Sequence, residues 1–514
     1  MSGERKAPPI SHHRQGGSPV DPEALDLVVI GAGPCGLAVV SRLARDAGCC
    51  GCADAARLLL RRTRVVDPHG AWLTEWRRKL GSQGVAHLRS PSFVHPHPSR
   101  LIDDALRAYA HAEGRTAELA PLPCGGWAAP SAALFEDFCA QVARDFCGGP
   151  LEGCLMRGRV LDVRAAPAGG FELSLEGGGS LRTRRVVLAL GDGGLLRVPR
   201  WLPAADGGGA RVPPMPSPPL LHATHLAAQH TPPPSAAPPR RALAAVLLRR
   251  AAWLAVCLLA GRPRWLPLLR WLSPWATGGG SGPAAQPLGR GRLVVVGGGL
   301  SAAQLAIHAC RSGWRRVLLL LRDEAPVRPF DIDEEWMGRH LSAAFSPLER
   351  DFYRADPPAR RGLLRQARPG GSLTPASVAL LAALQRRGGL QVRRDEVVAA
   401  AWRDGEGWAL RLRGAGGAAE PERCDALWLA TGHELDAARL PLVQSVLGAW
   451  PRPLHGGLPE LTPGLRWADG LELYVAGTLS ALQIGPDAFN LAGCAAGAAR
   501  ISSDIYDGLS RTGQ

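Results

Sequence analysis

The sequence predicts an α/β fold containing two Rossmann-like dinucleotide-binding domains, the first of them discontinuous along the chain. Three observations predict it. The stretch "LDLVVIGAGPCGLAVVSRLAR", from Leu25, reads as a buried strand, a glycine-rich turn and the opening of a helix. The stretch "GRLVVVGGGLSAAQLAIHACRSG", Gly291 to Gly313, repeats the device far downstream. Between and after them, "RTRRVVLALGDGG" and "CDALWLATGHELD" each give an apolar strand ending in a small, Gly-bearing turn. Turns of the form G-x-G-x-x-G or G-x-G-x-x-A let backbone approach a pyrophosphate and leave its charge at a helix N-terminus. One such turn is weak evidence. Two, each placed between a strand and a helix, are strong evidence.

Length and composition agree with this reading. The 514 residues exceed what one hydrophobic core usually organises, and 46% hydrophobic residues can bury a substantial one. The formal net charge of +15 raises the question of nucleic acid, yet only Lys6 and Lys79 are lysines and the arginines are spread along the chain. Without a dense basic block interleaved with aromatics, no nucleic-acid partner is expected. Of the 12 cysteines only Cys49, Cys50 and Cys52 cluster, and no second Cys/His pair of matching spacing completes a metal site. Scattered cysteines and an N-terminus without an apolar run predict reduced thiols in a cytoplasmic setting, with an organellar address left open.

Residues 1–24 form a polar leader expected to be disordered, and residues 25–202 the first part of the first dinucleotide-binding domain. Its second strand, in "TRVVDP", ends on Asp67, where a Rossmann unit hydrogen-bonds an adenosine ribose. The Cys-rich "AGCCGCADAARLLL" accounts for the long spacing from the glycine turn. Residues 203–290, rich in Pro, Ala and Gly, read as an insert or linker. The uncharged run between Arg250 and Arg262 falls far short of the ~20 residues needed to span a bilayer. A local structural insert is therefore favoured over membrane contact. Residues 291–425 form the second dinucleotide-binding domain, and residues 426–508 return to the first.

Two turns in one chain have a chemical reason: one dinucleotide stays bound while another visits to deliver hydride. Gly31, Gly33 and Gly36, with Asp67, are the expected FAD turn. Gly297, Gly299, Ser301 and Ala302 are the expected turn for a nicotinamide dinucleotide. Arg322, at the end of "RRVLLLLRDE", could pair with a 2′-phosphate and so favours NADPH over NADH. In "LYVAGTLSALQIGPDAFNLAGCAAGAARI", a strand ending at Gly477, a polar loop and a small-residue helix would close over the flavin, the helix N-terminus facing its electron-rich edge.

From about Leu25 to Ile501, excluding the insert, the order of motifs resembles the flavin-dependent N-hydroxylating monooxygenases, the lysine and ornithine N-monooxygenases. "GAGPCG" is similar to that family's FAD turn and "GGGLSAAQ" to its NADPH turn. "CDALWLATGH" is similar to its D-x-x-x-L-A-T-G-Y signature, with Asp425, Thr431 and Gly432 in place and His433 where Tyr is usual. "GAWLTEWRRKLGSQGVAHLRSPSFVHPHP" resembles the block that lines the flavin.

The resemblance implies FAD and NADPH as cofactors and dioxygen as co-substrate, one oxygen passing through a flavin hydroperoxide to a small nucleophilic, amine-like substrate. Trp72 and Gln83 are the implied flavin-lining residues, and His87, Arg89 and Asn490 the implied catalytic ones. The family grips its amino-acid substrate with a lysine and an asparagine, neither of which has a counterpart here. Lys79 lies before the relevant block, and Trp336 and Met337 stand where the asparagine is expected. Two further readings fit the residues: a reductase or oxidase without oxygen transfer, and a non-catalytic, redox-responsive module resembling the oxidative-stress-induced growth inhibitors.

Overall fold

Ten strands build the two sheets that organise the computed structural model: β1 (Leu27–Ile30), β2 (Thr63–Asp67), β3 (Leu155–Arg157), β4 (Val186–Leu188), β5 (Leu220–His222), β6 (Arg292–Val296), β7 (Arg316–Leu320), β8 (Leu390–Arg393), β9 (Ala426–Leu429) and β10 (Leu473–Val475). The structure describes residues 24–48, 52–98, 104–123, 126–191, 195–202, 220–222, 291–337, 346–394, 397–405, 407–413 and 420–512. The first sheet runs β10-β4-β1-β2-β3 and the second β5-β9-β6-β7-β8. Every pairing in both is parallel.

A parallel sheet covered on both faces needs strands that are apolar throughout, and the central strands are. In β1, Leu27 and Val29 enter one apolar cluster and Val28 and Ile30 another, all four buried. In β6, Leu293 and Val295 face the helical side while Val294 faces a three-stranded antiparallel meander, Val397–Asp404, Gly407–Arg413 and Glu422–Cys424. The first unit carries a matching meander, Val160–Ala165, Phe171–Leu175 and Ser180–Thr183, just before β4. The likeness between the segments ending "LALG" and "LATG" is thus one of whole supersecondary units.

Six helices matter for the site: α1 (Pro34–Ala47), α2 (Thr74–Ser82), α3 (Ala132–Phe146), α4 (Leu300–Arg311), α5 (Pro375–Arg386) and α6 (Leu491–Thr512). Helix α6 brings the C-terminal segment back along α1. The Tyr506 hydroxyl donates to the Leu43 carbonyl (2.7 Å) and the Ser502 hydroxyl to Asp46 (2.7 Å). Together with β10 at the edge of the first sheet, this makes the first unit discontinuous.

Three sequence expectations need correction. Cys35 and Cys494 form a disulfide, with Cα atoms 4.6 Å apart across 459 residues of sequence, so the expectation of uniformly reduced thiols does not hold. Leu220–His222, inside the segment read as an insert, forms β5 and pairs with β9; the remainder of 203–290 lies outside the described residues, as does nearly all of the leader. Finally, Phe330, Ile332, Trp336, Phe352, Leu364 and Ala367, between β7 and β8, are buried in the same apolar cluster as Leu27 and Val29. Part of the stretch assigned to the second unit therefore fills the core of the first, and Trp336 is a core residue. Its ring meets Phe352 edge-on, with centroids 6.1 Å apart.

Among the described residues, no group of three or more metal-ligating side chains occurs, and no helix is long and apolar enough to cross a membrane.

Candidate functional site

The first glycine turn follows β1 and opens α1, whose first residue is Pro34, a residue that needs no intrahelical partner there. Its three glycines do different work. Gly31 has φ of +110°, and a Cβ on it would meet the Ala189 carbonyl oxygen at 2.4 Å; one on Gly36 would meet the Gly31 carbonyl oxygen at 2.0 Å. These two permit close packing of strand, turn and helix. A Cβ on Gly33 would meet nothing within 4 Å, so the backbone there is bare on the side from which a pyrophosphate could approach the α1 N-terminus.

The segment after β2 braces this turn. Asp67 accepts the Ala32 amide (3.0 Å) and the His69 amide (2.8 Å), while the Leu73 amide donates to the Ala32 carbonyl (2.8 Å). Leu73 is buried with φ of +60°, a left-handed conformation unusual for leucine, which this turn-to-turn bond helps to hold. Asp67 thus shapes the turn, each of its carboxylate oxygens accepting one backbone amide. Trp72, next to Leu73, packs between two apolar clusters. Gln83 is the C-cap residue of α2, its amide donating to the Lys79 carbonyl.

The second turn repeats the pattern with one difference. Gly297 lies against the Ala430 carbonyl as Gly31 lies against Ala189, and Ala302 is buried in the third position. Ser301, half-buried, follows in the first turn of α4. Gly298 is the open position here, since Gly299 faces Gly371: a Cβ on Gly371 would come within 2.6 Å of the Gly299 Cα. A Gly370–Gly371 loop therefore abuts the turn. Arg322, at the end of β7, is 78% exposed and pairs with Asp323 at 2.7 Å.

The loops leaving β4 and β9 meet each other. The Arg197 amide donates to the Gly432 carbonyl (3.0 Å), the Thr431 hydroxyl to the Arg197 carbonyl (2.6 Å), and the Glu434 amide to the Leu195 carbonyl (2.9 Å). Thr431, Gly432 and Glu434 thus tie the two loops together.

These features coincide in one architecture. Two parallel sheets each carry a glycine turn at the carboxyl end of a central strand, two connections run between them, and a C-terminal strand and helix return to the first. Residues 28–193 match a family model described as FAD-NAD(P)-binding. The ornithine N-hydroxylase of Kutzneria sp. 744 superimposes with a TM-score of 0.61 at 14% identity, over 96% of this chain and 100% of that one. The reduced ornithine hydroxylase of Pseudomonas aeruginosa gives 0.60 at 18% identity, over 95% and 100%. The L-lysine 6-monooxygenase of Pseudomonas syringae gives 0.56 at 16% identity, over 95% and 99%. The chain has the fold of the flavin-dependent N-hydroxylases. No curated protein matches it in sequence.

Within this fold, the three residues read from the sequence as catalytic sit in different surroundings. The Arg89 guanidinium donates to the carbonyls of Arg328 (2.9 Å), Pro329 (3.1 Å) and Phe330 and to the Ser372 hydroxyl (2.9 Å). It clamps a loop of the first unit to two loops of the second. Burial lowers its pKa to about 10, with Asp331 opposing the shift. Asn490 is occupied at both ends of its amide, accepting from the Ala492 amide (2.9 Å) and donating to Asp487 (3.2 Å) just ahead of α6. Side-chain capping of this kind fixes the direction of the helix N-terminus. Burial lowers the His87 pKa, against the pull of Glu118, so its imidazole is neutral near pH 7. His87 and Arg89 line a cavity of about 1020 Å³ between the two units, whereas Trp72, Gln83, Asn490 and the glycines of both turns do not.

The loop that follows β10 is held by the stretch between β7 and β8 that packs into the first unit. Gly477 adopts φ +82° and ψ −147°, open to glycine alone, beside the Cys35 sulfur. Arg360 donates to the Leu482 carbonyl (2.9 Å) and the Tyr353 hydroxyl to the Ile484 carbonyl (3.0 Å). These contacts, the disulfide and the Gly370–Gly371 loop were absent from the sequence reading. The paired glycines of "RPGGS" were the one local signal.

Proposed function

We propose that the protein is an FAD- and NADPH-dependent monooxygenase that moves one oxygen atom from dioxygen to a small nucleophilic, amine-like substrate. The observation that carries this is the pair of glycine turns, each with a bare backbone position before a helix N-terminus, in a two-unit fold closed by β10 and α6. In this reading Gly33 and the α1 N-terminus hold the FAD pyrophosphate and Asp67 the adenosine ribose. Gly298 and Ser301 face the NADPH pyrophosphate, and Arg322 its 2′-phosphate. When bound, the flavin supplies hydride acceptance and oxygen activation. The chain's own part is to bind, orient and exclude water. Trp72 and Leu73 present an apolar wall beside the first turn, Asn490 aims the α6 N-terminus, and Arg89 sets the spacing between the units.

The experiment is anaerobic mixing of the purified protein with NADPH, followed by air, with the visible flavin absorbance, dioxygen uptake and hydrogen peroxide recorded. Bleaching by NADPH, then oxygen consumption without matching peroxide when a substrate is present, supports the proposal. Stoichiometric peroxide under all conditions supports a reductase or oxidase instead.

One observation favours the redox-responsive reading as a second choice. The Cys35–Cys494 bond joins the helix of the FAD turn to the helix that closes the site. FAD retained without bleaching by NADPH would support it. Six other described cysteines are free thiols, which keeps a reducing, cytoplasmic setting as the proposed location.

A further inference from the structure

We infer that the Gly370–Gly371 loop is a strap that closes the second glycine turn, and that a nicotinamide dinucleotide must displace it to seat its pyrophosphate there. The inference rests on the reading of that turn as the NADPH site. The two turns of this chain differ at one position. A Cβ added at Gly33 in the first would meet nothing within 4 Å, whereas one at Gly299, its counterpart in the second, would meet the Gly371 Cα at 3.3 Å. From the other side, a Cβ on Gly371 would reach the Gly299 Cα at 2.6 Å and its amide nitrogen at 2.9 Å. Gly299 is the N-cap residue of α4. The strap therefore lies over the start of the helix that a pyrophosphate has to approach.

The contact requires glycine on both sides. Gly371 does not have a positive φ, so its own backbone conformation would accept a side chain. What excludes one is the backbone of Gly299. Among the described residues no hydrogen bond joins Gly370 or Gly371 to Gly298 or Gly299, so the closure is van der Waals contact alone. Lifting the strap leaves no donor or acceptor of the turn unpaired.

Anchors on either side hold the strap down. Before it, Arg368 donates to Asp331 (2.5 Å) and stands 5.0 Å over the Phe489 ring, next to Asn490 and α6. After it, the buried Ser372 hydroxyl accepts from Arg89 (2.9 Å), and the Leu373 amide donates to the Pro326 carbonyl (2.9 Å). Between these anchors Pro369, Gly370 and Gly371 are exposed. The strap is thus a short arch with two fixed ends and two glycines on which it can swing, and the Arg89–Ser372 bond is the latch nearest to them. Closure and cofactor compete for the same backbone at Gly299. Apparent affinity is then the intrinsic one reduced by the fraction of molecules with the strap open, so a strap closed about 90% of the time weakens binding about tenfold.

The test uses the full chain with FAD as purified, titrated with NADP+ in a calorimeter. Gly371→Ala drives a Cβ into the Gly299 backbone and forces the strap open, so it should bind NADP+ about tenfold more tightly than the natural chain. Ser372→Ala removes the latch and should shift NADP+ affinity in the same direction. Adenosine 2′-phosphate carries the 2′-phosphate without the pyrophosphate, and it should bind all three proteins equally. Weaker or unchanged NADP+ binding in both variants would overturn the inference and leave the NADPH site standing. Equal gains for NADP+ and adenosine 2′-phosphate would overturn it too, by placing the effect on the whole unit. Failure of NADP+ to bind any of the three proteins would instead remove the reading of the second turn, and this inference with it. Should Gly371→Ala fold poorly, Ser372→Ala and the adenosine 2′-phosphate comparison decide alone.

Discussion

Replacing Arg89 by Met separates a clamp from a catalytic group. Methionine keeps most of the apolar stem and removes the guanidinium that joins the first unit to the Arg328–Phe330 and Ser372 loops. Nε carries one hydrogen and Nη2 two, so the guanidinium makes the equivalent of three full hydrogen bonds to these four acceptors, at about 2 kcal/mol each a gross loss of about 6 kcal/mol. The guanidinium is itself costly to bury, since its pKa falls from 12.5 to about 10, which corresponds to about 3 kcal/mol. The net local loss is therefore about 3 kcal/mol, within the range for breaking a buried charged contact. The loops it holds are also bonded to each other, Arg328 amide to Leu373 carbonyl (2.8 Å) and Leu373 amide to Pro326 carbonyl (2.9 Å). Those two amides are the reporters. Hydrogen exchange followed by mass spectrometry should show them exchanging about 100-fold faster in Arg89→Met, with FAD content retained. Unchanged exchange combined with lost product formation would refute this reasoning and return Arg89 to the reacting centre.

Other outcomes follow from the same geometry. His95 is fully buried, and burial, with His97 adding to it, holds its imidazole down to about 3. Because the folded pKa is depressed, its stability contribution is present above the unfolded value of 6.5 and is lost as pH falls toward 3, about 2 kcal/mol by pH 5; urea titrations should show this slope reduced in His95→Phe. Arg322→Ala should weaken NADPH about tenfold and NADH little in equilibrium titrations, solvent exposure keeping the loss at the lower end of a charged phosphate contact. Gly33→Val should give folded but colourless protein, whereas Gly36→Val should fail to fold, because only the second Cβ collides with backbone. Peptide mapping without reductant should recover the Cys35–Cys494 cross-link, and Cys35→Ala should lose roughly 2–4 kcal/mol against denaturant.

Which of these features the sequence could reveal follows from the distance over which each is encoded. The glycine turns were legible because strand, turn and helix are contiguous and each glycine answers a local steric demand. Asp67 was legible by its place at the end of β2, although its bonds to the Ala32 and His69 amides were not. The remaining roles depend on partners far away in sequence. Arg89 looked available until its carbonyl acceptors, some 240 residues on, came into contact. Asn490 was implied as a site residue by the resemblance, whereas its place directly before a small-residue helix is where an N-cap belongs. Trp336 stood where a polar residue was expected because the chain between β7 and β8, Trp336 and Phe352 included, leaves its own unit and packs into the core of the first. No periodicity announces such an excursion. Leu220–His222 was hidden by composition, a three-residue strand within a Pro-rich stretch.

That short strand bears on how the molecule can be divided. A fragment beginning at Gly291 contains the second glycine turn but lacks β5, leaving the edge of β9 without its parallel neighbour. The exposed strand would be Ala-Leu-Trp-Leu, uncharged and strongly β-forming, with a row of free amides and carbonyls. Such an edge pairs readily with another copy of itself, so the fragment should self-associate. A cut placed before Leu220 keeps the edge covered, at the cost of carrying along the chain that joins β5 to β6.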